Sequence, residues 1–122
     1  MAVHMNCRIA SGVTRRVLLV GGYAFKIPNP AEWRLFLLGL LANMQESQFS
    51  KLGWPELCPV VWSLPMGFLV VMRRARVLTA DEAKAANLAR FVDQPNYTVP
   101  AELKADSFGY LNGRLVAVDY GN

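Results

Sequence analysis

A carboxylate at the end of a short apolar run is the first pattern in this chain that could do chemistry. Asp119 follows that run and comes just before Tyr120 and Gly121. A strand would fix the direction of the carboxylate, and the glycine lets the backbone turn away without a side-chain clash. Asp119 is therefore a candidate ligand for a divalent cation. The alternative is a structural aspartate at the end of a strand.

The elements that must position Asp119 are a terminal hairpin and the charged loop before it. Two apolar-rich runs flank Asn112 and Gly113, residues that both tolerate positive φ, so the sequence predicts a β-hairpin there. The charged loop, residues 102–107, directly precedes this hairpin. We expect the loop to lie close to Asp119 in space.

A lysine and a glutamate form a second candidate pair. Lys26 lies in a predicted strand, and Glu46 follows twenty positions later in the most strongly predicted helix. This helix is expected to begin with Asn29 as its cap and Pro30 at its first position, and to run to about Ser50.

The predicted helix is apolar around most of its circumference. Its main stripe at helical spacing is expected to be buried; it consists of Trp33, Phe36, Leu37, Leu40, Leu41 and Met44. Glu46 lies beside apolar positions, so its carboxylate is expected to face the protein. A partly buried glutamate needs a cation or hydrogen bonds to stay charged. Lys26 is the best candidate, in either a nucleotide-orienting pair or a structural ion pair.

Taken together, these residues resemble the protein-kinase-like superfamily. In those proteins a strand lysine pairs with a glutamate on the next helix, and a catalytic loop leads through a hairpin to an Asp-Phe-Gly motif. Lys26 and Glu46 match the pair, and Asp119-Tyr120-Gly121 resembles the motif. The resemblance covers nearly the whole chain and implies a kinase amino-terminal lobe with a vestige of the catalytic hairpin.

The catalytic loop departs from the kinase pattern. Glu102 stands where the resemblance places the catalytic aspartate, and Ser107 stands where it places a metal-binding asparagine, whereas Lys104 matches the loop lysine. No Gly-rich phosphate loop precedes Lys26. We also expect the module to lack the activation segment and the substrate platform of an ordinary kinase. The resemblance therefore implies a catalytically degenerate module.

An active version would use the same residues in defined roles. Lys26 and Glu46 would bind the nucleotide, Asp119 and Ser107 would hold Mg²⁺, and Glu102 with Lys104 would be catalytic. ATP and Mg²⁺ are the cofactors of that version. The degenerate module needs no cofactor.

Charge and hydropathy point to a binding partner. The formal net charge is +4, and five arginines form two clusters, namely Arg15, Arg16, Arg73, Arg74 and Arg76. These clusters are candidate contacts for an acidic protein surface, with nucleic acid or plain solvation as the alternatives. The hydrophobic content of 53% is high for a small domain, which favours apolar surface kept for a partner or for a homodimer.

Several functional classes are disfavoured. His4 is the single histidine, which argues against catalytic triads and histidine-rich metal sites. Cys7 and Cys58 lack metal-ligand spacing and favour a reducing, cytoplasmic location. The sequence shows neither a signal peptide nor a membrane span, and residues 1–6 are expected to be disordered or a cloning remnant.

The sequence thus predicts a single α+β domain over residues 1–122. It should contain an antiparallel sheet of about five strands, one long packed helix, a shorter helix from Thr79 to about Val92, and a C-terminal β-hairpin. The leading functional hypothesis is a non-catalytic kinase-like protein-interaction module, such as a viral (phage) or mobile-element inhibitor acting in the host cytoplasm. The alternatives are a minimal ATP- and Mg²⁺-dependent phosphotransferase and a small basic nucleic-acid-binding protein.

Overall fold

Five antiparallel strands form the main sheet. The structure is a computed structural model that describes residues 7–121, with side chains described from residue 12 onward. The strands occur in the order β1-β2-β3-β5-β4 and span Cys7–Ser11 (β1), Arg15–Val20 (β2), Tyr23–Pro28 (β3), Val60–Ser63 (β4) and Val70–Arg73 (β5). The predicted α+β class and five-stranded sheet are confirmed. The expectation for residues 1–6 lies outside the described residues.

Side chains alternate between the two faces of this sheet, as the pleat requires. Ala24 and Lys26 are buried on the inner face, whereas Leu18, Tyr23 and Ile27 are exposed on the outer face. The inner face supports the helix and the core described below. Most described side chains of the outer face are exposed, although Val71 on that face is buried.

The long helix α1 spans Trp33–Ser50 and packs on the inner face of the sheet. Its end agrees with the prediction, but its start does not. Glu32 is the N-cap and makes no side-chain cap. Asn29 instead accepts a hydrogen bond from the N–H of Ala31 (3.0 Å), which closes a turn before the helix rather than its first turn.

The orientation of α1 contradicts the prediction of a buried apolar stripe. Of the predicted stripe, Trp33 is 72% exposed and Leu37, Leu41 and Met44 are also exposed, whereas Phe36 and Leu40 are half-buried. The side chains that α1 buries are instead small or polar, namely Gly39, Ala42, Asn43 and Glu46. The helix is therefore rotated so that its small and polar side chains face the sheet.

A second, smaller sheet carries the C-terminal hairpin. Its strands lie in the order β6-β7-β8 and span Arg76–Val77 (β6), Phe108–Leu111 (β7) and Arg114–Ala117 (β8). The predicted turn is confirmed, because Asn112 (φ 52°) and Gly113 (φ 79°) both adopt the left-handed conformation. The pairing of β6 with β7 was not predicted.

The predicted second helix is two short helices. Helix α2 (Ala80–Ala85) begins with the predicted capping box at Thr79, and helix α3 (Leu88–Val92) ends where expected. Asn87 separates them with φ 47°. No helix in residues 7–121 combines the length and apolar character needed to cross a membrane.

The core joins the two sheets. It is formed by buried side chains from the inner face of the main sheet, from the hairpin and from the segments between them; among them are Ala24, Met72, Leu78, Phe108, Val116 and Tyr120. Tyr120 and Phe108 are its largest members. The hairpin that ends in Asp119 is therefore anchored to the sheet that carries Lys26.

The contact between α1 and the main sheet predicts an unusual effect of Gly39→Ala. Alanine normally stabilises a helix interior relative to glycine by about 1 kcal/mol. A Cβ at position 39 would instead lie 2.3 Å from the carbonyl oxygen of Thr14 and 2.7 Å from Cα of Pro28. We expect Gly39→Ala to lower the free energy of unfolding by about 1–3 kcal/mol in urea titrations. Gly22→Ala is the control, because no atom lies within 4 Å of its added Cβ. Equal or higher stability of Gly39→Ala would contradict this packing.

Candidate functional site

Glu46 is the centre of a buried ion network. Its side chain is 0% exposed. Oε1 accepts hydrogen bonds from Nζ of Lys26 (2.7 Å) and Nη1 of Arg15 (3.0 Å). Oε2 accepts from Nη2 of Arg15 (3.2 Å) and from the backbone N–H of Tyr120 (3.1 Å). Two cations and one backbone group therefore compensate the carboxylate for its lost hydration.

The predicted pairing of Lys26 with Glu46 is confirmed by this geometry. Lys26 lies on β3 and points to the inner face, where its ammonium also donates a hydrogen bond to the carbonyl oxygen of Val118. The predicted inward direction of the Glu46 carboxylate is confirmed as well. The lysine thus connects the main sheet both to α1 and to the end of the C-terminal hairpin.

Arg15 is the residue that sequence reasoning placed differently. It was grouped with Arg16 as a surface cation, yet its guanidinium is buried and lies between Glu46 and Asp119. Nη2 is 2.6 Å from Oδ1 of Asp119, so Arg15 bridges the two carboxylates. Alternation along β2 turns Arg15 inward and leaves Arg16 exposed outside.

Asn43 completes the network and was not identified from the sequence. Its Oδ1 accepts a hydrogen bond from Nη1 of Arg15 (3.1 Å). Its Nδ2 donates to the carbonyl oxygens of Lys26 (3.0 Å) and Gly67 (2.9 Å). The available signal was its position three residues before Glu46, which places both side chains on one helix face.

The charges of the network balance. Arg15 and Lys26 contribute two positive charges, and Glu46 and Asp119 contribute two negative ones. Burial alone would raise the pKa of Glu46, but Lys26 and Arg15 outweigh it and hold that pKa below its ordinary value. Burial acts to lower the pKa of Arg15, yet Glu46 and Asp119 raise it above its ordinary value. Glu46 and Arg15 are therefore held in their charged forms. Burial lowers the pKa of Lys26 below its ordinary value, although the Glu46 carboxylate acts to raise it.

The segment that follows β8 closes over α1. Gly121 has φ 105°, and a Cβ there would lie 3.1 Å from Cβ of Gln45, so this close approach requires glycine. The hydroxyl of Tyr120 donates to the carbonyl oxygen of Cys58 (2.7 Å). These contacts hold Asp119 beside Arg15, with 43% of the Asp119 side chain exposed.

The predicted catalytic-loop residues divide into two groups. Glu102 (70% exposed) and Lys104 form a solvent-exposed pair at 3.4 Å, and Asp106 lies 3.8 Å from the same ammonium. Asp106 and Glu102 raise the pKa of Lys104, and the charge of Asp119 acts in the same direction. Neither Glu102 nor Lys104 makes a hydrogen bond or ion pair to the described residues of the network.

Ser107 lies next to Asp119 through its backbone. Its carbonyl oxygen accepts hydrogen bonds from the N–H groups of Val118 (2.8 Å) and Asp119 (3.4 Å). Its hydroxyl is buried and has no hydrogen-bond partner among the described residues. The structure therefore brings Ser107 to the site and leaves Glu102 and Lys104 at its margin.

The surface arginines differ in their surroundings. Arg76 makes a bidentate ion pair with Glu82 (2.9 and 2.8 Å) and lies 5.3 Å above the ring of Tyr110. Arg74 donates to the carbonyl oxygen of Gly21 (3.3 Å). Arg16 and Arg73 are exposed, and no described carboxylate pairs with either of them.

Comparison with known proteins does not assign this site. No protein-family model, curated protein or solved structure gives a significant match to the chain. Among the described side chains, residues 12–121, no three His, Cys, Asp or Glu residues are grouped as metal ligands. The kinase resemblance stays a prediction.

The network predicts a large effect of Glu46→Gln. The change leaves Arg15 and Lys26 buried without their shared carboxylate, so we expect a loss of about 3–5 kcal/mol in the free energy of unfolding at neutral pH. Glu102→Gln is the control and should change stability by less than about 0.5 kcal/mol, because Glu102 is largely exposed. Similar stabilities of the two variants would show that the network is not buried in solution.

The lowered pKa of Glu46 predicts a pH dependence of stability. Its folded pKa lies below its unfolded pKa, so its contribution is fully present above the unfolded value of about 4.3 and is lost as the pH falls through the folded value. We expect wild-type stability to fall across this acid range. In Glu46→Gln the free energy of unfolding should depend less steeply on pH. The difference should correspond to the uptake of up to about one proton fewer on unfolding. The free energy of unfolding is measured by chemical unfolding at a series of acid pH values. If it fell with the same slope in wild type and in Glu46→Gln, the lowered pKa of Glu46 would be contradicted.

Proposed function

We propose that this chain is a non-catalytic, kinase-like protein-interaction module. The observation that carries the proposal is the orientation of α1. The helix buries Asn43 and Glu46 and exposes Trp33, Leu37 and Leu41. A helix in a monomeric protein usually faces the core with its apolar stripe. The reversed orientation supports a function in which another protein covers that stripe.

The exposed stripe continues beyond the helix. We define the α1 face as Trp33, Leu37, Leu38, Leu41 and Met44, all of which are exposed. The ring of Trp33 stacks on Phe36 (5.8 Å between centroids), and Phe36 contacts Phe68 in the turn before β5 (6.4 Å). Large contiguous apolar patches of this kind are typical of protein-binding surfaces.

The kinase-like part of the proposal is supported by residues from distant parts of the chain. A lysine on the third strand pairs with a glutamate on the next helix at 2.7 Å, as in kinases. The segment Asp119-Tyr120-Gly121 directly contacts that glutamate through the N–H of Tyr120.

The non-catalytic part is supported by Arg15. Its guanidinium lies against the carboxylates of Asp119 and Glu46, where it supplies the positive charge that a metal ion would otherwise bring. Since two cations already balance two carboxylates, a further divalent cation would place uncompensated charge beside Arg15. The residues in this arrangement do not fit Mg²⁺. The exposed pairing of Glu102 with Lys104 also argues against a role for Glu102 as general base.

A minimal phosphotransferase is the second candidate, and the Lys26–Glu46 pair is the observation that favours it. In that case Arg15 would have to leave Asp119 before Mg²⁺ and ATP could bind. The two candidates therefore differ in whether the folded chain binds nucleotide.

We expect excess ATP and Mg²⁺ to leave the melting temperature of the wild-type protein unchanged, because Arg15 already pairs with the carboxylates of Glu46 and Asp119. A ligand that binds the folded state would raise this temperature by mass action. Glu102→Ala serves as a control that leaves the network intact. A wild-type shift that disappears in both Lys26→Ala and Asp119→Ala would overturn the non-catalytic assignment in favour of the phosphotransferase.

The α1 face makes a separate prediction. The native protein should bind the dye ANS, and Leu37→Gln combined with Leu41→Gln should weaken its fluorescence, because these exposed leucines form the centre of the face. The free energy of unfolding should change by less than about 0.5 kcal/mol. Leu103→Gln, at an exposed leucine elsewhere, is the control. Unchanged dye binding with a large loss of stability would mean that the α1 face is buried in solution.

A further inference from the structure

The outer face of the main sheet is a second apolar surface, and most of its described side chains are exposed. Strand register places Leu18, Phe25, Val71 and Trp62 opposite one another in a row that crosses β2, β3, β5 and β4. Paired residues share a face of the sheet. An antiparallel sheet with one solvated face normally carries polar side chains there. This row is apolar throughout. Leu18 and Trp62 are exposed (38% and 55%), Phe25 is half-buried, and Val71 is buried.

Two arginines flank this row on opposite sides. Arg16 lies beside Ile27, two residues before Leu18 on β2. Arg73 lies beside Tyr23, two residues after Val71 on β5. Both arginines are exposed, and no described carboxylate pairs with either. Their charges are therefore available to a partner.

The main sheet contains no acidic residue. None of the five strands includes an Asp or a Glu, although the chain has nine such residues. The described acidic side chains lie on the helices, in the loops and after β8. The outer face thus combines apolar side chains with positive charge alone.

We infer that the outer face of the main sheet binds a protein segment that presents apolar side chains flanked by carboxylates. This inference rests on the proposed protein-binding function and names the surface and its partner's chemistry. The partner's apolar side chains would cover Leu18, Phe25 and Trp62, and its carboxylates would pair with Arg16 and Arg73. Charge complementarity of this kind gives specificity and register at an interface.

A second copy of the chain fits this surface poorly. Two outer faces in contact would bring four arginines together without a carboxylate from either sheet. The whole chain also carries +4, so two copies repel at long range. An acidic partner removes both difficulties.

Nucleic acid fits less well than protein. Its binding depends on many phosphate contacts, whereas this face offers two arginines without a described carboxylate partner. Phe25 and Trp62 in the central row could stack on bases, but Leu18 and Val71 in the same row cannot. The row is suited to apolar side chains.

The test is selection from a random peptide library displayed on yeast, with the full chain as the bait. We expect enriched peptides to combine apolar anchors with flanking Asp or Glu. Synthetic copies of these peptides should bind the variant Arg16→Glu/Arg73→Glu at least about tenfold more weakly than the wild-type protein. Reversing the two charges turns two attractions into repulsions. Trp62→Gln should weaken binding similarly.

Arg114→Glu, at an exposed arginine on β8, is the matched control and should bind like wild type. Circular dichroism would confirm that each variant folds. If Trp62→Gln does not fold, the arginine variant alone decides.

Other outcomes separate this inference from the proposed function. Peptides that bind the arginine variant normally but lose binding to Leu37→Gln/Leu41→Gln would overturn the outer-face inference and leave the proposed function standing. Failure to enrich any peptide would count against both the outer-face inference and the proposed function.

A labelled single-stranded oligonucleotide is titrated in parallel. Its binding, lost in Arg16→Glu/Arg73→Glu and falling steeply with salt, would reassign the outer face to nucleic acid.

Discussion

The arrangement of this fold depends on a single ionised carboxylate in the protein interior. An isolated buried carboxylate would be too costly to remain charged, so Glu46 requires compensation from several groups. Those groups are Arg15 on β2, Lys26 on β3 and the N–H of Tyr120 after β8. Because they come from distant parts of the chain, satisfying Glu46 brings α1, the main sheet and the C-terminal hairpin together.

This constraint also determines the rotation of α1. Glu46 and Asn43 can reach their partners only if their stripe faces the sheet, where Gly39 permits contact with Pro28 and the carbonyl of Thr14. The apolar stripe must then face outward. Burying it would have contributed about 25 cal/mol per Å² of apolar surface. The fold forgoes that gain in the isolated chain, and the proposed partner would recover it by covering the stripe.

Local signals in the sequence were sufficient for most elements but not for their orientations. Asn112-Gly113 identified its hairpin because both residues tolerate positive φ, and Thr79 identified the start of α2. The sequence could not predict which face of the sheet Arg15 lies on. Apart from the two arginines, the residues on the two faces of β2 are similarly apolar. The rotation of α1 was mispredicted for a related reason. Hydrophobicity alone favours an apolar interior, whereas the buried partners of Glu46 depend on tertiary contacts.

The ion network is better explained by specificity than by stability. A buried ion pair often contributes little net stability relative to well-packed apolar side chains, but it can impose a unique arrangement. For α1 the competing arrangement is concrete. Without Glu46 and its cations, the helix could turn its leucines toward the sheet and gain apolar burial. The network opposes that rotation, because turning α1 would leave Glu46, Arg15 and Lys26 without their compensating partners. In the proposed function, a lysine–glutamate pair could therefore be kept without nucleotide binding, since it would hold an apolar face toward a partner.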